Sequence, residues 1–326
     1  MRVLACQNKN DEVRMDSSSG GIFPLIAARI LDEGGVVYGA AFSDSFAIEH
    51  RRITTKAELK ELQGSKYAFG RLGSAYRDCQ ADLENGLQVL FSGTPCQIAG
   101  LRAFLKKDYP GLFVVDFICH GASELSTWEQ YLKERANGRK VSGVWFRDKR
   151  NGWNEYQVTI RYADGTEYSE AHDKDLYMMG FIGDVMLRKA CFHCKCKGVE
   201  NRRSDLTLGD LWGADELAPE LYDDKGTSLL IVSTEKGEKM LASLADDLMT
   251  EDIDKERAFE INWAAVRPAK PSAYVELFQK YKKEGKELIP LLKRIYEPNA
   301  VQKVQNICYR GARKMKKVMK GRTKAR

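Results

Sequence analysis

No apolar run in this 326-residue chain approaches the ~20 residues that a membrane-crossing helix requires. The opening stretch, MRVLACQNKN, also lacks the apolar core of a secretory leader. Together these absences exclude a helical membrane span and a secretory signal and make the cytoplasm the expected location. In that compartment eight cysteines read as metal ligands or redox groups rather than disulfide partners. Acidic residues are missing from residues 303–326, where ten basic groups stand, so the net charge of +6 leaves the rest of the chain at −4. The body is mildly acidic, and the overall positive charge is therefore no argument for specific nucleic-acid binding. The tail reads as a solvated terminus whose ten cations can add weak, non-specific attraction to an anionic membrane or RNA. A second close cysteine pair, usual in zinc ribbons, is lacking too.

With 43% hydrophobic residues the chain can bury a sizeable core. The most informative stretch is Gly93–Leu101, GTPCQIAGL. It follows the apolar run Val89-Leu90-Phe91 and precedes Ile98, Leu101 and Leu105 at helical spacing, which predicts strand, turn, helix. The next run, Leu112 to Ile118, is apolar enough for a strand buried on both faces of a parallel sheet, and it ends on Cys119. A crossover helix makes the two strands parallel, so Cys96 and Cys119 are expected in the crevice outside their carboxyl ends. Cys191-Phe192-His193-Cys194 supplies a C-x-x-C loop, a strong metal signal, and brings the thiols to four. Four suit a [4Fe–4S] cluster or a tetrahedral zinc, with single cysteines at strand ends tilting toward iron and sulfur. Cys196 is a fifth candidate that spacing alone leaves open, whereas Cys6, Cys79 and Cys308 read as ordinary thiols.

Elsewhere the pattern gives a short edge strand at Arg2 to Cys6 and then Ser17-Ser18-Ser19-Gly20-Gly21 ahead of a helix. Serine caps and glycine amides make that stretch either a capped helix start or a cradle for a phosphate. Gly64-Ser65-Lys66-Tyr67 sets a cation and an aromatic beside a glycine, and His120 adjoins the proposed crevice. Residues 141–170 read as an inserted antiparallel ribbon around Asp164-Gly165. An amphipathic helix follows from Ala273 to about Tyr296, interrupted at Gly285 and Pro290. The expected fold is α/β, with a mixed, largely parallel sheet, flanking helices, the inserted ribbon and a helical C-terminal extension. The expected division is residues 1–86, 87–265 and 266–326.

In order along the chain, SSSGGIF, GGVVYGAAF, GSKY, LFSGTPCQIAGL, DFICHG, FRDK with Gly152-Trp153, and the C-x-x-C ahead of SDLTLGDLWG resemble the beta subunit family of coenzyme F420 hydrogenase/dehydrogenase. The resemblance runs from about residue 10 to residue 260. It implies an iron–sulfur flavoprotein holding FAD and one [4Fe–4S] cluster, with Cys96, Cys119, Cys191 and Cys194 as the cluster cysteines. Ser18, Ser19, Gly20, Gly21, Lys66 and Tyr67 fall in the motifs assigned to flavin, and Thr94 and His120 lie between flavin and cluster. His120 and Lys66 are the candidates for proton supply or for stabilising reduced flavin. Many relatives begin with a ferredoxin-like segment, and this chain begins after where it would end, so a separate ferredoxin-like carrier is the expected electron partner. A small-molecule redox substrate is the other. Ala68-Phe69-Gly70-Arg71 departs from the polar segment common in relatives. The alternatives are a metal-stapled binding module without flavin, and a peripheral component of a cell-surface polysaccharide assembly held at the inner membrane face by the basic tail.

Overall fold

The computed structural model describes residues 1–303 and 305. The basic tail therefore lies, but for Lys303 and Gln305, outside the described residues, as does Cys308. In chain order the first elements are β1 (Arg2–Asn8), α1 (Asp11–Asp16), α2 (Ile22–Asp32), β2 (Val36–Phe42), β3 (Ile48–Ile53), α3 (Leu59–Leu62) and α4 (Ala75–Glu84). There follow β4 (Val89–Gly93), α5 (Pro95–Leu105), β5 (Leu112–Phe117), α6 (Leu125–Ala136), β6 (Val141–Asp148), β7 (Gln157–Tyr162), β8 (Glu167–Ala171) and α7 (Leu176–Ile182). The chain continues with β9 (Leu206–Asp210), α8 (Ala214–Leu217), β10 (Ser228–Val232), α9 (Glu235–Ser243), β11 (Leu248–Asp252), α10 (Lys255–Ile261), α11 (Val275–Lys283) and α12 (Leu288–Tyr296).

Eight strands form one sheet in the order β11-β1-β10-β9-β5-β4-β2-β3. Its centre, β9-β5-β4-β2, is parallel and the flanking pairs are antiparallel, so five of the eight strands, β1 included, share one direction. The strand, helix and strand around Cys96 stand as expected, with Gly93 opposite Asp116. Central strands are apolar because both faces are covered. Leu90 and Val115 pack toward α2 and α3, while Val89, Phe91 and Val114 pack toward α4 and α5. Each such fully buried large side chain contributes about 1.5–3 kcal/mol.

β1 is not the edge strand expected of it. It lies between β10 and β11, and Val3, Leu4, Ala5 and Cys6 are buried on both its faces. A second, three-stranded antiparallel sheet, β6-β7-β8, carries the ribbon expected of residues 141–170. Its core joins Trp128 and Tyr131 of α6, Tyr177 of α7, and Phe278, Leu291 and Leu292 of the last two helices. The interruption expected at Gly285 is present: the segment from Ala273 forms two helices that part there, where φ is +66°. Pro290 does not interrupt, since it falls in the first turn of α12, where its missing N–H has no partner to lose. No helix among the described residues is long and apolar enough to cross a membrane.

Candidate active site

Between the carboxyl ends of β4, β5 and β9 and the residues Tyr156, Met178 and Phe181 a cavity of about 490 Å3 opens. One wall is the loop from Ser17 to Gly21 and the first residues of α2. The expected serine cap is absent. Ser19 Oγ donates to the Thr227 carbonyl at 2.8 Å and Ser18 Oγ accepts from Ser65 Oγ at 2.7 Å. Gly21, at φ +75°, starts α2 with no side-chain cap. The loop's carbonyls are tied back instead. Asn8 donates its backbone N–H to Gly20 O at 2.7 Å and its Nδ2 to Gly21 O at 3.2 Å. The Lys149 ammonium reaches Ser19 O at 3.5 Å. An uncapped helix start of this kind presents backbone amides and a positive dipole end to the cavity, which suits an anion.

Gly20 itself does not line the cavity. Its N–H donates to Ser228 Oγ at 2.9 Å, and a Cβ there would run into the Cys6 carbonyl oxygen. Close packing behind the loop, rather than ligand approach, is what requires this glycine.

Lys66 lines the cavity beside Ser65, whose hydroxyl is bonded to Ser18 of the loop. Its ammonium donates to the carbonyls of Gln63 at 2.8 Å and Gly64 at 3.3 Å and stands 5.5 Å from the Phe42 ring centroid. It makes no ion pair with a carboxylate among the described residues. Burial, with a smaller push from Arg51, lowers its pKa to about 7. Tyr67 follows with its ring against Phe181 at 4.9 Å and Phe146 at 5.6 Å, and its carbonyl accepts from Tyr177 at 3.0 Å. Ala68, Phe69 and Gly70 line the wall, with Phe69 N–H held by Ser123 O at 2.9 Å.

Thr94 caps α5 in a capping box with Gln97 and sits 3.2 Å from Cys96 Sγ. Cys119 lines the cavity and is pushed up to about 12 by burial, with Lys197 acting against that push. Cys96, Cys191 and Cys194 are close enough to raise it further. The thiol of Cys191 approaches Ala122 O at 3.8 Å. Cys196 adjoins Cys194 and Cys96, so five thiols gather and the fifth stays a candidate. Among the described residues no group of three or more Cys, His, Asp or Glu side chains is arranged around a single metal-ion position. As a donor set the four thiols fit a cubane, whose cysteines each attach to a separate iron. Cys6 and Cys79 are buried in other parts of the core.

His120 lines the cavity between Phe181 and Trp263, at 5.3 and 5.4 Å, with Nε2 2.7 Å from Asp184 Oδ1. Asp184 adopts φ +59°, and its pairing across 64 positions carried no local signal. Other residues went unread in the sequence. Asp116, fully buried, is bound by Arg202 at 3.1 Å and Thr207 at 2.5 Å, yet burial still raises its pKa. His50 holds Ser92 O at 3.1 Å and is lowered to about 4 by burial. The FRDK stretch, noted only as a motif, supplies Arg147 to Asp210 and Lys149 to the loop.

Two family models match the chain. That of the C terminus of the coenzyme F420 hydrogenase/dehydrogenase beta subunit matches residues 86–256, and that of the N-terminal part of the same beta subunit matches residues 3–76. The fold is similar to that of a chain in the xenon-derivatised F420-reducing [NiFe] hydrogenase complex from Methanosarcina barkeri. That likeness has a TM-score of 0.56 at 16% identity, over 88% of this chain and 95% of the other. No curated protein matches the chain in sequence.

Proposed function

Because the chain belongs to the coenzyme F420 hydrogenase/dehydrogenase beta subunit family, we propose that it is an iron–sulfur flavoprotein oxidoreductase that works between a separate ferredoxin-like carrier and a hydride-type or organic substrate. A redox role in general follows from a family of hydrogenase and dehydrogenase subunits. When bound, FAD supplies exchange between paired and single electrons, and a [4Fe–4S] cluster supplies single-electron transfer.

The chain's own residues divide the work. Ser18, Ser19 and Gly21, with the open start of α2 and the ammonium of Lys66, would hold the FAD diphosphate. Gly20 serves the same loop from behind, through its bond to Ser228. Tyr67 orients the ring system, and Cys96, Cys119, Cys191 and Cys194 would hold the cluster. Thr94, whose hydroxyl lies 3.2 Å from Cys96 Sγ, would stand between the two groups. His120, oriented by Asp184 through Nε2, leaves Nδ1 for proton exchange, and its imidazole packs between Phe181 and Trp263. One observation carries the reading: Cys119 belongs at once to the cavity wall and to the group of thiols, and His120 beside it lines the same cavity.

The test is anaerobic purification followed by quantifying iron, sulfide, zinc and flavin per chain. About four irons with sulfide, plus FAD, is the expected result. Zinc without flavin overturns it and leaves a metal-stapled binding module. Cys119→Ser is expected to lower the iron content sharply, whereas Cys6→Ser, buried in a different part of the core, keeps it. Equal iron in the two variants removes Cys119 from the ligand set.

A further inference from the structure

We propose that the face around the cysteine loop is the docking surface for an acidic electron-carrier protein. The proposal rests on the redox reading above and adds to it the place and the charge of the partner.

From Arg188 to Arg203 the chain has six lysines and arginines and a single carboxylate, Glu200. The structure sorts five of those cations into two layers, the sixth, Arg188, being half-buried with its guanidinium 3.9 Å from the Phe69 ring centroid. Lys197 and Arg202 are buried beneath the loop. Lys197 donates to the carbonyls of Cys119 and Ala264, and Arg202 is spent on Asp116. Lys189, Lys195 and Arg203 are exposed and make no ion pair among the described residues. Arg203 is joined to α5 through its carbonyl, which accepts from Arg102 at 3.3 Å, and α5 carries the exposed Cys96. Lys189 and Lys195 therefore flank the loop that carries Cys191 and Cys194, and Arg203 follows it beside α5. Glu200 does little to offset them, since it is turned back toward Gly198 and lies 3.2 Å from the Asn201 amide.

Exposed charges of one sign that lack partners within a protein raise the local concentration of an oppositely charged partner and orient its approach. That these unpartnered cations sit in and beside the loop carrying Cys191 and Cys194 favours a small acidic redox protein over a nucleic acid or a membrane.

The probe is an acidic two-cluster bacterial ferredoxin, titrated anaerobically against the whole protein by calorimetry. Affinity is expected to fall about tenfold between about 50 mM and about 300 mM salt. The triple variant Lys189→Glu, Lys195→Glu, Arg203→Glu is expected to bind about tenfold more weakly at the lower salt and to lose most of the salt dependence. All three side chains are exposed, so the melting temperature should match that of the parent, and a single Lys195→Gln variant is expected to fall between the two. Equal binding by parent and triple variant overturns the proposal, as does a parent that fails to bind the ferredoxin or prefers RNA or anionic vesicles. Cofactor content is measured on the same preparation. Protein with iron and flavin but no charge-dependent docking fails this proposal alone, whereas protein without cofactors fails the redox reading beneath it.

Discussion

Lys66 carries a charge that no carboxylate among the described residues neutralises. Carbonyls and an aromatic face are weaker company for an ammonium than water, which is why its pKa falls to about 7. An anion in the cavity would supply the missing partner and favour the protonated form. Binding of FAD should therefore weaken as pH rises through 7, by at most about tenfold per unit, because each step up leaves fewer lysines charged beforehand. Lys66→Gln removes the charged hydrogen bond, worth about 1.5–3 kcal/mol, so affinity at pH about 6 should fall roughly 10- to 100-fold. The variant should also lose the slope. Flavin fluorescence quenching from about pH 6 to about 9 reads both effects. Parallel slopes in parent and variant would show that Lys66 does not face the anion.

The loop before α2 shows what an element contributes beyond its residues. Gly20→Ala would drive a methyl group into the backbone at Cys6 and Ser228, where nothing flexible can give way. Overpacking of that kind costs about 1–3 kcal/mol, and the loop must move to relieve it. Both the melting temperature and flavin affinity should fall. Gly34→Ala is the control: at φ +76° and with open space around it, it should cost about 1 kcal/mol and leave flavin affinity unchanged. An equal loss of affinity in the two would separate the loop from the site. The same loop marks how far the sequence could be read. Ser17 to Gly21 were legible as a loop leading into a helix because glycine and serine at a helix start are a local signal. The true cap arrangement was not, since it depends on Ser65, Thr227 and Ser228 from distant segments. β4, α5 and β5 were legible because a run buried on both faces can hardly be anything but a central strand. β1 was misplaced at the edge because seven residues followed by a polar stretch look alike inside a sheet and at its margin. The pairing of His120 with Asp184 was hidden for the same reason as Lys149's hold on Ser19: both are contacts between elements, and neither leaves a spacing to read.

At the scale of the whole molecule, buried titratable groups set how stability responds to pH. Lys66 and Lys149 are both lowered to about 7, Lys149 chiefly by burial and secondarily by Arg147. An unfolded chain keeps their protons up to about pH 10.4, so between those values the unfolded state binds more protons and stability rises with pH. Cys6, Cys79 and Cys119 are pushed the other way, up to about 12 by burial. Unfolded, they ionise from about pH 8.5, and from there stability falls as pH rises. Below pH 7 the buried carboxyls of Asp116 and Asp175, both raised, oppose His50, which is lowered to about 4, so the informative window is the alkaline one. Urea midpoints of the cofactor-free protein should climb from about pH 7, peak near about 8.5 and then decline. Lys149 holds three segments together through the carbonyls of Arg14, Ser19 and Lys225. Lys149→Met therefore lowers the midpoint at every pH, but it should also flatten the climb between about 7 and 8.5, since one of the buried lysines that lose their proton there is gone. Cys79→Ala should make the decline above about 8.5 shallower and leave the climb alone. A Lys149→Met profile displaced downward but unchanged in shape would mean that the lysine is held fully charged in the folded protein, its carbonyl ligands outweighing its burial.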